Sequence, residues 1–183
     1  MLADHPTVTH TLFQAIARAL CISPDSSTAA ARILRAYATP PPPQVPADIN
    51  LCFFDLSPDP GVQMLTERKV IRGRNEIYRF IPCTLTLVFY GPSSETDAIT
   101  VRDNLFVDGV NRPLSILRNA GIYLVPPAFP PSVLYEEEGS LFRKRADLTI
   151  PVRLLDNSDN ASSGGSAVLE APLIESPPEI LLD

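Results

Sequence analysis

The two histidines and three cysteines are the side chains of this 183-residue chain that most often act as nucleophiles, bases or metal ligands. His5 and His10 are five positions apart, whereas two ligands on one helix face need a spacing of four. No cysteine has a histidine close to it in sequence, and neither a GxSxG nor an HExxH motif is present. The sequence therefore predicts a protein that is not an enzyme, with no catalytic residue, no metal site and no cofactor.

Three successive glutamates, Glu136, Glu137 and Glu138, form the densest acidic run of the chain. Carboxylate oxygens bind hard cations, but three consecutive side chains converge only where a loop folds around the ion. We therefore interpret this run as a solvated acidic loop. Residues 162–166 (SSGGS) lack the Lys-Ser or Lys-Thr pair of a phosphate-binding loop and indicate a linker.

A basic segment spans residues 67–79, where a hairpin is expected, and Tyr78 and Phe80 lie beside it. Its positive residues are Arg68, Lys69, Arg72, Arg74 and Arg79, against only two glutamates. Such an arm can contact phosphates and stack bases, which keeps a small nucleic-acid-binding regulator as an alternative function. It can equally dock on an acidic protein surface, including the tail of a neighbouring copy, and we favour that interpretation.

Net charge is −6, and its distribution bears on the choice between these functions. Up to Arg153 the chain holds 15 basic and 15 acidic residues, so the whole excess of acid lies in the C-terminal segment. A non-specific DNA-binding protein of this size carries a basic surplus, which is absent here. The three cysteines, Cys21, Cys52 and Cys83, form no CxxC pair, and we expect each to be a buried apolar residue.

Apolar periodicity defines the helices that must position these residues. Leu12, Ile16 and Ala19 share one face of a helix predicted over residues 7–20, and a second helix is predicted over residues 28–37, burying Ala30, Ile33 and Tyr37. Two further helices are expected after Ser93 or Ser94, either of which can cap the first, and from Pro113 to Gly121.

Alternating residues define the strands. A well-covered strand is expected from residue 48, a long hairpin over residues 62–71 and 77–90, a short strand over residues 122–125, and a half-buried strand over residues 145–154. Pro82, inside the second hairpin arm, implies an edge or a bulge. This order predicts an α+β fold: a mainly antiparallel sheet with helices packed on one face and a long β-hairpin arm.

The chain is divided at residue 155 into a single α+β domain, residues 1–155, and a flexible acidic C-terminal extension, residues 156–183. Within the extension, AVLEAPLIE and EILLD are short apolar pieces that cannot form a core, so we expect them to pair with a sheet edge in their own or another subunit. No apolar run is long enough to cross a bilayer and the N-terminus has no signal-peptide pattern, so we expect a cytoplasmic chain that does not bind membranes.

The order of several short motifs resembles a known family. A strand ending in LVFYGP at residues 87–92 is followed by RDNL at 102–105, NRPL at 111–114, AGI at 120–122 and the closing strand RKRADLTIPV at 143–152. In this order the chain is similar to tailed-phage neck or tail terminator proteins, and residues 49–55 (INLCFFD) resemble terminators of contractile injection particles.

The resemblance implies a structural virion protein of the neck or tail that is present in the host cytoplasm during assembly. It implies a homohexameric ring on the tail tube protein that stops elongation and offers a docking face to the head-tail connector. DNA then passes through the lumen without specific binding, and no catalytic residue is carried over. The basic hairpin is the expected contact with a neighbour or the tube, with residues 136–138 or the acidic extension as its partner. That extension has no counterpart in the family pattern.

Overall fold

The computed structural model describes residues 6–36, 48–60, 65–71, 74–126, 129–138 and 141–156. The acidic extension beyond Asp156, Tyr37 and Arg72 lie outside the described residues. The elements in chain order are α1 (Pro6–Ala19), α2 (Ser27–Arg32), β1 (Ile33–Arg35), β2 (Leu51–Pro58), β3 (Leu65–Ile71), β4 (Arg74–Tyr90), α3 (Ser94–Leu105), α4 (Pro113–Asn119), β5 (Ile122–Leu124), β6 (Ser132–Glu138) and β7 (Leu141–Asp156).

The described strands form one seven-stranded sheet in an α+β fold, as predicted. Its main path is β1-β2-β4-β7-β5, with β3 added to β4 and β6 added to β7. All pairings are antiparallel except the parallel pair β1-β2. The centre is the long pair β4-β7, in which Arg79 to Tyr90 run against Asp156 to Arg145.

One face of this central pair packs against the helices. Cys83, Leu85, Leu87 and Phe89 of β4 are buried in a single cluster with residues of α1, α3 and α4. On β7 the matching row is Ala146, Leu148, Ile150, Val152 and Leu154, as the alternation predicted. The intervening residues, such as Thr84, Thr86 and Arg145, are only partly covered. The sheet therefore has a helix-covered face and an open face.

Helix α1 has the predicted buried face, whereas α2 is shorter than predicted. The Ser26 side chain accepts a hydrogen bond from the Ala29 N–H at 3.1 Å and caps α2, which ends at Arg32. The prediction that the helix continues to residue 37 is wrong, because Ile33–Arg35 pairs with β2 as strand β1. Ala29, not Ala30, faces the core, and Ile33 is buried as expected.

Helices α3 and α4 lie where they were predicted, but the side-chain cap expected at α3 is absent. Ser93 makes no capping side-chain bond, and the Ser94 hydroxyl is buried without a partner among the described residues. The Asn50 side chain instead accepts from the Ser93 N–H at 2.8 Å, so the loop before β2 supplies the acceptor.

The two halves of the sheet repeat one strand order. β2, β3 and β4 correspond to β5, β6 and β7, and in each half two residues connect the second strand to a long third strand. β4 pairs first with β3 and then with β2, while β7 pairs first with β6 and then with β5. A proline lies at each change of partner: Pro82 in β4 and Pro151 in β7.

These prolines explain how long central strands tolerate a residue without an N–H donor. The Pro82 carbonyl accepts from Asp59 N at 3.1 Å and the Pro151 carbonyl accepts from Val125 N at 2.9 Å, so both residues face a gap between two partner strands. The expectation of an edge or a bulge at Pro82 holds locally, since Pro82 pairs only with Arg153 of β7, although β4 as a whole is a central strand. The proline nitrogen, which carries no hydrogen, faces a position where β4 has no partner strand, so no ladder hydrogen bond is lost there.

Two further expectations about the strands are wrong. Residues 136–138, interpreted as a loop, belong to strand β6, which pairs with the start of β7 from Ser132↔Asp147 to Glu138↔Leu141. Strand β7 is correspondingly longer than the predicted 145–154, at Leu141–Asp156. The sequence SVLYEEE of β6 does not alternate between apolar and polar residues. Its strand conformation therefore depends on its pairing with β7.

Cysteine burial differs from the expectation at one position. Cys52 and Cys83 are buried, but Cys21 is exposed in a left-handed backbone conformation after α1, at φ 59°. Burial, reinforced by Asp97, raises the pKa of the Cys52 thiol far above its usual value of 9.0. Burial and the nearby Asp59 raise the pKa of Cys83 to about 11.

We predict that Gly91→Ala lowers the free energy of unfolding by roughly 2–4 kcal/mol. Gly91 has φ +104°, and an added Cβ meets the Asn50 side chain at 2.6 Å and the Ile49 carbonyl oxygen at 2.7 Å. Gly109→Ala is the control, since it shares a positive φ of +131° but meets only Arg112 Cγ at 3.3 Å. Urea denaturation measures both, and equal losses in the two variants would contradict the role given to the close approach.

We predict that one thiol per folded chain, Cys21, reacts rapidly with a disulfide reagent at pH 8, and that all three react in denaturant. Both buried thiols have a pKa above the unfolded value of 9.0. Because the folded state holds these protons more tightly, their contribution to stability is complete below pH 9 and is lost as pH rises beyond it. Rapid labelling in a folded Cys21→Ser variant would contradict the assignment.

Candidate assembly surfaces

Two β-hairpins extend from opposite ends of the central pair β4-β7. The basic arm consists of β3 with residues 74–80 of β4, and the acidic arm consists of β6 with residues 141–147 of β7. Each has seven residue pairs and a two-residue connection. Eight residue steps along β4 separate Phe80, at the end of the basic arm, from Val88, which pairs with Asp147 of the acidic arm, so the nearest ends of the arms lie about 27 Å apart along the strands.

The residues predicted to form the interface fall on these two arms. Arg68 and Lys69 lie on β3, Arg74 and Arg79 on β4, and the three glutamates on β6, while Arg72 lies outside the described residues. Within one chain the basic residues predicted for the interface are therefore not brought close to the three glutamates. Charge complementarity between the arms is available only between copies.

The root of the acidic arm is held by a charged cluster on the open face. Arg145 binds both oxygens of Asp147, with its Nε and a terminal nitrogen at 2.6 and 2.8 Å, and also forms an ion pair with Glu136. The hydrogen bond to Asp147, followed by that to Glu136, raises the pKa of Arg145 above its ordinary value. The ion pair between Arg145 and Glu136 thus joins β7 to β6 at the start of the acidic arm.

Tyr90, the last residue of β4, completes this cluster. Its hydroxyl donates to Glu136 at 3.1 Å, and its ring lies 5.6 Å from the Arg143 guanidinium carbon and 5.9 Å from that of Arg145. The Phe53 ring packs edge-on against it at 5.9 Å. Burial chiefly raises the pKa of Tyr90, which Arg145 opposes and Glu136 reinforces, so the hydroxyl remains a donor near neutral pH.

On the covered face, Lys144 joins the same arm to the helices. Its Nζ lies 2.7 Å from Glu95 Oε2 in the first turn of α3. The hydrogen bond that Lys144 donates to Glu95 raises the pKa of Lys144. Contacts on both faces therefore fix the direction in which the acidic arm points.

The acidic arm exposes an apolar strand that the sequence reasoning missed. Val133, Leu134 and Tyr135 of β6 are 38%, 46% and 69% exposed, and Glu137 beside them is also exposed. Its signal in the sequence is the apolar run at residues 133–135, directly before the glutamates. A solvent-facing edge strand with three large apolar residues is typical of a docking surface.

Two surface cavities lie among the described residues. A pocket of about 450 Å³ is lined by Tyr90, Glu136, Glu137 and Arg143, and an apolar one of about 510 Å³ lies between α1 and β1. In the second, the His10 ring pairs with the Gln14 side chain at 3.0 Å. Over the described ranges no three His, Cys, Asp or Glu side chains are grouped to hold a metal, and no described helix is long and apolar enough to span a membrane.

We predict that Arg145→Gln lowers the free energy of unfolding by about 1–2 kcal/mol, since it leaves the partly covered Asp147 and Glu136 without their cation. Arg102→Gln is the matched control, because its partner Asp103 is 57% exposed and we expect a loss below about 0.5 kcal/mol. Denaturant unfolding measures both losses. Equal values would show that the cluster does not stabilise the arm.

Comparison with known proteins adds no relative to this geometry. No protein-family model matches the sequence, and no curated protein is significantly similar to it.

Proposed function

We propose that this protein is a structural component of a phage neck or tail, a terminator whose homohexameric ring caps the tail tube. The ring stops elongation of the tube and provides the surface on which the head-tail connector docks. The observation that carries the proposal is that the basic arm and the three glutamates of β6 lie at opposite ends of one sheet. A closed ring needs two unlike, complementary patches on each subunit, and the arms supply them.

The family resemblance supports the same function. Four of its motifs fall at element boundaries, where LVFYGP ends β4, RDNL ends α3, NRPL begins α4 and AGI leads into β5, whereas RKRADLTIPV lies within β7. Motifs at element ends fix turns and caps, so we propose that the resemblance in their order reflects a common fold.

Charge also fits a ring through which DNA slides. The chain up to Arg153 has equal numbers of acidic and basic residues, and five of its 15 basic residues lie between residues 67 and 79. We propose that DNA passes through an acidic or neutral lumen without specific binding, because a basic lining would hold the phosphates. A basic channel in the assembled particle is incompatible with this part of the proposal.

The test is a polymerisation assay with the tail tube protein of the same particle. We predict that the purified chain halts tube growth at substoichiometric amounts and appears as a terminal ring by electron microscopy. Replacement of Arg68, Arg72 and Arg74 by Ala is expected to abolish ring assembly and capping at physiological salt, whereas Arg18→Ala on the exposed side of α1 leaves both intact. Full capping by the triple variant would remove the basic arm from the interface.

The alternative of a nucleic-acid-binding regulator rests on the same basic arm, with Tyr78 and Phe80 beside its charges. It predicts retention on duplex DNA that falls steeply with salt. Tube capping without such retention favours the structural function, and the reverse result favours the regulator.

A further inference from the structure

We propose that β3 of one copy pairs with β6 of the next as adjacent antiparallel strands, so that the subunits of the ring share a continuous sheet. This inference rests on the proposed self-assembly and specifies its contact. Within the part of the chain that the structure describes, β3 pairs only with β4 and β6 only with β7. Each strand therefore presents its outer side for pairing.

The registers identify the backbone groups that face outward. In a hairpin with a two-residue connection, the residues flanking the turn are hydrogen-bonded to each other, and pairs alternate from there. The N–H and C=O groups of Arg68 and Val70 then point away from β4, and those of Tyr135 and Glu137 away from β7. The bond from Gly91 N to the Lys144 carbonyl, on the opposite side of β7, agrees with this alternation.

The directions of the strands suit a head-to-tail contact. β4 and β7 are antiparallel, and each is antiparallel to its hairpin partner, so β3 and β6 run in opposite directions within one sheet. Two copies in the same orientation therefore meet as an antiparallel pair. Because the strands lie on opposite sides of the sheet, each copy contacts two neighbours and the contact repeats.

One register joins two pairs of opposite charges and two apolar pairs, although it also places Glu67 opposite Glu138. When Arg68 stands opposite Glu137, Lys69 stands opposite Glu136, Val70 opposite Tyr135 and Ile71 opposite Leu134. Cross-strand pairs of these kinds each stabilise a sheet, and the two hydrogen-bonded positions add about four backbone bonds. The exposure of Leu134 and Tyr135 in the single chain is explained if a neighbouring strand covers them.

Charged edge strands usually prevent two sheets from pairing edge to edge. A basic edge repels a second basic edge, and an acidic edge repels a second acidic edge. The combination on this chain discourages like pairing but favours basic with acidic. The charges thus select head-to-tail assembly over a symmetric dimer.

A pair of engineered cysteines tests the contact. In a Cys21→Ser background, Ile71→Cys with Leu134→Cys brings two thiols to facing positions of neighbouring copies. Within one chain these positions lie about 50 Å apart along the strands, far beyond disulfide reach, so any bond formed is between copies. Mild oxidation is expected to give a ladder of covalent oligomers on a non-reducing gel, reversed by reductant.

The matched control is Val70→Cys with Leu134→Cys, which puts the thiols on opposite faces of the shared sheet. We expect its cross-linked fraction to be lower by about tenfold. Absence of a ladder from the first variant, or equal ladders from both, overturns the proposed pairing. Circular dichroism and a cooperative thermal transition verify that each variant is folded.

Charge exchange provides a second, independent measurement. Arg68→Glu and, separately, Glu137→Arg, at positions that face each other in this register, are each expected to weaken self-association by about tenfold or more in sedimentation. Mixing the two variants restores it, because each altered edge then meets a complementary one. Failure of the mixture to recover overturns the pairing, whereas the proposed function survives if the wild-type chain still caps the tube.

Discussion

The antiparallel pairing of β4 with β7 is the interaction on which the rest of this structure depends. It joins residues from the two halves of the chain through twelve consecutive residue pairs, from Arg79↔Asp156 to Tyr90↔Arg145. The apolar rows of both strands face the same side, where α1, α3 and α4 cover them in one core. Because both strands continue past the paired region at one end each, the same register that builds the core also produces the two arms.

In this arrangement the residues that stabilise the fold differ from those that we propose to mediate assembly. Burial of residues such as Leu85 and Ile150 holds the centre together, while residues 132–137 of β6 include no buried side chain and remain accessible. Although it is accessible, the acidic arm is fixed by side-chain contacts. At the acidic arm, Arg145 and Tyr90 on one face and Lys144 on the other hold the hairpin at its root. A braced edge loses less conformational entropy on docking than a mobile one, which favours its use as a contact surface.

Much of the fold was predictable because its signals are local. The alternation of Leu85, Leu87 and Phe89 identifies a strand with one covered face whatever its partners are, and Pro113 with Gly121 brackets α4 in the same way. The elements that were missed owe their conformation to distant residues. Ile33–Arg35 becomes a strand only beside β2, and SVLYEEE becomes β6 only beside β7. The charged residues of the candidate interface were visible in the sequence, but their separation to opposite ends follows from the β4-β7 register, for which no local signal exists.

Strand β7 is synthesised well after β4, and this delay affects folding during translation. β4 is complete at Tyr90, but its central partner begins at Leu141, some fifty residues further along the chain. At ribosomal speeds of about 5–20 residues per second, the flank of β4 that later meets β7 waits for roughly 3–10 s. During that interval β2 and β3 shield one side of the strand and leave the other open to any extended peptide nearby. Productive folding of this chain therefore depends on keeping nascent copies apart until translation has passed the second half.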